Sequence, residues 1–305
     1  MLIYLPIAEM PVAVLLILLV SGGVGFVSGL VGVGGGFIMT PALLFLGVPA
    51  PVAVATGASQ IAATSFSGIM TQTRRKAVDW RMGLLLSIGG VLGSASGVAL
   101  FERLLRLGQL DLIVSILYLL LLSSVGFLMV RESYRFWRGH PVKSVSILRR
   151  PLKSIAHTLP FRLRFPRSGL YISVLPPLVI GFAIGVISAI MGIGGGFILI
   201  PAMIYLLRMP TNVVIGTSQF QVMVIASLIV ILQSMATQTV DLVLALLLMA
   251  GGVVGAQIGA RIGAGIKAEY LRGILGALLV AASAKFLFDV VIPPAEQYVL
   301  SGGWQ

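Results

Sequence analysis

Gly32-Val33-Gly34-Gly35-Gly36-Phe37 and Gly192-Ile193-Gly194-Gly195-Gly196-Phe197 are two copies of one pattern, and their reading decides the fold. Each copy lies between a long apolar run and a short one, and each is followed at the same distance by a proline, Pro41 and Pro201. Three consecutive glycines carry a large backbone-entropy cost in any regular element, so a helix does not run undisturbed through them. Both stretches read as breaks in helices that lie within a membrane.

The membrane follows from composition. The chain has 305 residues, is 58% hydrophobic and 10% charged, and has a mean hydropathy of +1.08, outside the range of ordinary soluble domains. Its apolar runs are continuous, not alternating, which excludes a β-barrel and predicts a polytopic all-α membrane protein. The net charge of +12 is no argument for nucleic acid, because about half of the basic residues fall in one loop between hydrophobic blocks. The chain contains no cysteine, so disulfides, thiolate metal sites and cysteine nucleophiles are excluded. The first apolar run continues into the glycine pattern without basic residues before it, which argues against a cleaved signal peptide.

Working outward from the first break, a helix is predicted from Pro11 to Val31 and a short segment from Phe37 to Leu46. At 1.5 Å per residue that segment covers only about half of a 30 Å hydrocarbon core, so it is expected to re-enter. Helices over Val52 to Thr71, Met82 to Leu100 and Leu110 to Val130 complete a first repeat, residues 1–130. Residues 131–170 form a basic cytoplasmic linker, where Arg131, Arg135, Arg138, Lys143, Arg149 and Arg150 belong to a run opposed by Glu132 alone. A solvated positive-inside loop is the simpler reading of this run, and the interleaving of Tyr134, Trp137 and Phe161 with its charges makes contact with acidic lipids the alternative. The second repeat, 171–305, replays the first with helices over Ser173 to Met191, Phe197 to Leu207, Val213 to Met235, Leu242 to Ile262 and Leu271 to Ile292.

The identities extend past the glycines. Pro51, Gly57, Ser59 and Gln60 align with Pro210, Gly216, Ser218 and Gln219, and Asp79, Gly89 and Gly93 with Asp241, Gly251 and Gly255. Placing basic loops inside puts 73–81 and 131–170 in the cytoplasm, and both termini outside. Equivalent loops then fall on opposite sides, so the halves are expected to be inverted repeats.

Inverted repeats with broken helices place a substrate where the interrupted segments meet. A helix that starts at such a break presents free N–H groups and the positive end of its dipole, which favours an anion. The expected substrate-binding residues are therefore Gly34, Gly35, Gly36, Gly194, Gly195 and Gly196. They are joined by Ser59, Gln60, Thr217, Ser218, Gln219 and Gln221, polar groups in apolar helices that need a partner. The ladders Gly89, Gly93, Gly97 and Gly251, Gly255, Gly259, Gly263 read as close helix packing. Asp79 and Asp241 read as helix N-caps, and Lys285 with Asp289 as an interfacial ion pair. His140 and His157 fall in the linker. No dinucleotide fingerprint, P-loop lysine or nucleophile elbow is present, so neither an enzyme nor a cofactor or metal is expected.

The duplicated glycine pattern, its following prolines, and the downstream Gly57-Ala58-Ser59 and Gly216-Thr217-Ser218 resemble the TauE/SafE family of sulfite exporter-like transporters, over Gly22 to Leu100 and Gly181 to Ile262. By position, the family's residues fall on Gly32, Gly34, Gly35, Gly36 and Pro41, then Gly192, Gly194, Gly195, Gly196 and Pro201, with Gly57, Ser59, Gly216, Thr217 and Ser218. Ala58 stands where the family pattern has threonine. The resemblance implies transport of small sulfur-containing anions such as sulfite, sulfoacetate or thiosulfate across the inner membrane, most commonly export, by alternating access. A carrier for another small organic acid and a passive anion channel are the alternatives, and homo-oligomerisation is left open.

Overall fold

The computed structural model describes residues 2–32, 36–137, 162–263 and 268–291. The chain opens with a hairpin, β1 (Leu2–Leu5) against β2 (Met10–Ala13), followed by α1 (Val14–Val31), α2 (Gly36–Phe45), α3 (Ala50–Arg74), α4 (Trp80–Arg106) and α5 (Leu110–Trp137). The order then repeats. A second hairpin, β3 (Arg162–Phe165) against β4 (Leu170–Ser173), leads into α6 (Leu175–Met191), α7 (Gly196–Tyr205), α8 (Thr211–Ala236), α9 (Leu242–Gly263) and α10 (Ala268–Val291).

Helix ends follow local chemistry. α1 and α6 both stop on a glycine in the left-handed region, Gly32 at φ 72° and Gly192 at φ 67°, whose N–H groups donate to the Ser28 and Ser188 carbonyls at 2.8 Å. Proline stands just before α3 and α8, as Pro49 and Pro210. Asp79 and the matching Asp241 accept from Met82 N and Leu244 N, the N-cap role expected for both.

Two expectations require correction. The first helix begins at Val14, because Pro11 lies in β2 opposite Tyr4, and neither hairpin was anticipated. The repeat register through α3 and α8 also differs by two residues. The helix starts pair Pro49, not Pro51, with Pro210, which equates Thr56 with Thr217 and Gln60 with Gln221. Hydrogen bonds agree: Thr217 Oγ1 accepts from Asp79 N, and Thr56 Oγ1 accepts from Asp241 N, each at 3.0 Å.

Packing between the halves is reciprocal. α1 lies along α9 as α6 lies along α4, and α3 touches α9 as α8 touches α4. α3 and α8 pack together, as do α5 and α10. Phe37 and Phe197, the residues that follow the two breaks, stack with ring centroids 4.6 Å apart and planes inclined by 22°. α4, α5, α8 and α9 contain stretches long and apolar enough to span a bilayer, with shorter apolar stretches in α1, α2, α6, α7 and α10. Leu92, Leu120 and Leu246 project outward while Thr56, Gln60, Gln221 and Gln233 are buried. The molecule is an all-α polytopic membrane protein with several polar side chains packed inside.

The glycine ladders set the closest approaches. A Cβ on Gly93 would overlap the Phe182 backbone, and one on Gly255 would overlap the Gly22 backbone. Since backbone cannot yield as a flexible side chain can, Gly93→Leu and Gly255→Leu are each expected to destabilise the fold by about 3 kcal/mol or more. Gly23→Ala, which meets nothing within 4 Å, should be neutral or slightly stabilising. Melting in detergent followed by size-exclusion chromatography checks all three.

Candidate functional site

The ends of α1 and α6 sit in different surroundings. At the second, Gly192 to Gly196 are buried throughout. A helix that ends inside a membrane leaves carbonyls that water does not reach, so protein groups must satisfy them. Three side chains from three helices do this for α6. Gln233 Nε2 of α8 donates to the Ala189 carbonyl at 3.2 Å, Tyr118 of α5 donates to the Met191 carbonyl at 2.5 Å, and Thr40 of α2 donates to the Gly192 carbonyl at 3.3 Å. The chain then turns through Gly194 at φ 72° and Gly195 at φ 75° before α7 begins. Ile61 and Ile184 lie where side chains at these two positions would point. Glycine is thus required twice over, for backbone conformation and for space.

A cavity of about 850 Å³ lies between α1, α3, α8 and α9 and reaches the end of α1. Gly32, Ser28 and Gly29 line it from α1, Thr64 and Gln72 from α3, and Gln219 from α8. Its outer part carries Arg74, Arg75 and Arg261, and among the described residues no carboxylate belongs to its wall. All three arginines are exposed, and none is in an ion pair among the described residues. The cavity therefore pairs a positive mouth with a mainly apolar wall that carries hydroxyls and carboxamides.

The expected site residues fall into three groups. Gly34 and Gly35 lie outside the described residues. Gly36 begins α2 and abuts Ile61 and the Ile193 carbonyl, which brings the two breaks together, while Gly194, Gly195 and Gly196 form the buried second break. Ser59, Thr217 and Ser218 hydroxyls donate to carbonyls of their own helices, at Thr56, Val213 and Ile215. The carboxamides differ. Gln60 Nε2 donates to the Ser21 carbonyl at 3.2 Å while its Oε1 is unpaired, Gln219 Oε1 is unpaired beside the cavity, and the fully buried Gln221 has neither end paired. Such groups are costly in an apolar interior without water or ligand.

Several residues of the site were not anticipated. Arg74, Arg75 and Arg261 read in the sequence only as indicators of sidedness, and Thr40, Tyr118, Thr64, Gln72 and Gln233 drew no notice. The register that equates Gln72 with Gln233 would have singled those two out. Lys285 Nζ stands 4.1 Å over the Phe45 ring; the Asp289 side chain and residues 138–161 of the 131–170 linker lie outside the described residues.

No solved structure matches the chain. It is 29% identical, over 90% of its own length and 95% of the other's, to a "Probable membrane transporter protein" of Xylella fastidiosa (strain 9a5c). A "Probable membrane transporter protein YunE" of Bacillus subtilis (strain 168) is 27% identical over 87% of this chain and 94% of its own. With the family "Sulfite exporter TauE/SafE" matching residues 17–286, the chain belongs to the TauE/SafE family of membrane transporters.

Proposed function

We propose that the protein is a secondary transporter that exports small sulfur-containing anions, such as sulfite, thiosulfate or sulfoacetate, across the inner membrane by alternating access. The observation that carries this reading is the cavity of about 850 Å³, with three arginines at its mouth, which reaches the end of α1 while the matching end of α6 is buried and bonded by three side chains. A carrier open to one side at a time requires that asymmetry, whereas a passive channel would join both sides. The reciprocal packing of the halves supports a pseudo-two-fold relation. With basic loops inside, the cavity faces the cytoplasm, the halves are inverted, residues 1–130 and 171–305 are the two repeats, and both termini are outside. In this reading the oxygens of the anion accept from donors at the site, the unpaired Gln221 Nε2 among them, while the arginines at the mouth supply the positive field. The glycines from Gly34 to Gly36 and Gly194 to Gly196, with Gln60, Gln219 and Gln221, are the binding residues in this reading.

Counterflow in proteoliposomes is the test. Preloaded sulfite, thiosulfate or sulfoacetate should drive uptake of the labelled anion, while chloride and a neutral amino acid should not. Equal exchange for every solute, or none for any anion, would sink the proposal. A preference for small carboxylates would move it to another organic acid.

A further inference from the structure

The repeat pairs the cavity, residue by residue, with a filled cluster. α3 and α8 in register from Pro49 and Pro210 equate Gln219 with Ala58, Thr64 with Ile225, and Gly68 with Ile229. α1 and α6 in register from Gly32 and Gly192 equate Gly29 with Ala189, and α4 and α9 in register from Asp79 and Asp241 equate Ala260 with Val98. The first-named residue of every pair except the Ala58 and Val98 pairings comes from the first repeat, yet all five, Gln219, Thr64, Gly68, Gly29 and Ala260, line the cavity. Their five equivalents are the buried members of a single apolar cluster.

The same register supplies a latch. Gln233 is fully buried, and its Nε2 donates to the Ala189 carbonyl, joining α8 to the end of α6. Its equivalent Gln72 lines the open cavity, and among the described residues its side chain makes no bond to the equivalent carbonyl, that of Gly29. We propose that the cluster of Ala58, Val98, Ala189, Ile225 and Ile229 is the second access route for the anion, held shut by the Gln233–Ala189 hydrogen bond, and that Gln72 closes onto the Gly29 carbonyl when this route opens. The proposal rests on the transporter reading.

Chemistry favours a latch that can be broken. Gln233 Oε1 is buried without a partner, which penalises the shut arrangement and is relieved when water enters. The seal itself is dry, since Ile225 and Ile229 stand where the open side has Thr64 and Gly68. The two gates are therefore unequal: one closes by apolar contact, the other around polar and small groups.

The chain has no cysteine, so single-cysteine probes need no altered background. Thr64→Cys and Ile225→Cys, each alone and combined with Gln233→Ala, are labelled in sealed vesicles by a membrane-impermeant maleimide applied to one face at a time. With Gln233 intact, Thr64→Cys should react from the face bearing Arg74, and Ile225→Cys should be protected from both. Gln233→Ala should raise Ile225→Cys labelling from the opposite face about tenfold and lower that of Thr64→Cys, as expected when a two-state equilibrium shifts. Persistent protection of Ile225→Cys beside an unchanged Thr64→Cys would overturn the proposal by showing a static plug. Labelling of both cysteines from both faces would overturn it by showing a pore or a lost fold. If instead counterflow fails for every anion while labelling switches as described, the transporter reading falls and the gate stands.

Discussion

Replacing Arg74, Arg75 and Arg261 together by glutamine is expected to slow anion transport about ten- to a hundredfold at low ionic strength while leaving the fold intact. The three guanidinium groups stand at the mouth of the cavity, exposed and outside any ion pair among the described residues, so their removal frees no buried partner charge. Their field acts at a distance, raising the local concentration of anions in a cleft with low-dielectric walls. Screening gives the effect a distinctive form. With a Debye length of about 10 Å at 0.1 M salt and about 3 Å at 1 M, the gap between variant and native protein should narrow as salt is added. Initial rates in proteoliposomes over a salt series measure this directly. A deficit that stays constant with salt would mean that the arginines position a bound substrate and do not attract it. An unchanged rate at low salt would remove them from the path.

The legible and illegible parts of this architecture divide along physical lines. Long apolar runs bounded by glycine, proline or aspartate appear as helices close to the predicted limits, because each boundary residue has a local conformational reason to stop or start a helix. The hairpins escaped for the opposite reason. Strands of four residues are too short to show an alternating pattern, and the first hairpin turns through Glu9 at φ 53° where the second has Gly169 at φ 65°. The register error came from local identity. Gly57 and Ser59 resemble Gly216 and Ser218, but the helix starts favour Pro49 over Pro51 as the mate of Pro210. A slip of two residues turns a helix by about 200°, so it exchanges the faces being compared. The second glycine break was legible because conformation and space both demand glycine at Gly194 and Gly195. The cavity was not, because it depends on side-chain volumes from four helices, with Thr64 and Gly68 leaving room that Ile225 and Ile229 fill.

Asp79→Ala should be among the most destabilising single substitutions outside the glycine ladders, and Asp241→Ala should cost less. Both carboxylates are buried, both cap a helix, and both fasten a hairpin, but they carry different loads. Asp79 Oδ1 accepts from Met82 N at 3.2 Å, while Oδ2 accepts from Ser168 N at 3.1 Å and Ser168 Oγ at 2.6 Å. Asp241 Oδ1 accepts from Leu244 N and Oδ2 from Ile7 N, each at 3.0 Å. Truncation therefore strands three donors in one case and two in the other. At about 1.5–3 kcal/mol for each hydrogen bond to a charged group, partly offset by water reaching the hairpin, the losses should be roughly 3–5 kcal/mol for Asp79→Ala and about 1–2 kcal/mol less for Asp241→Ala. The neighbouring Arg167, whose Nη1 donates to the Lys76 and Val78 carbonyls at 3.0 and 3.1 Å, holds the same hairpin from the other side and has no counterpart at Ile7. Arg167→Ala in the Asp79→Ala background should then lose less than the two single effects added together, because both act on one detachable element. Melting temperatures in one detergent give the order. Equal losses for the two aspartates would show that capping alone accounts for both, with the hairpins contributing nothing to the stability of the helices they cover.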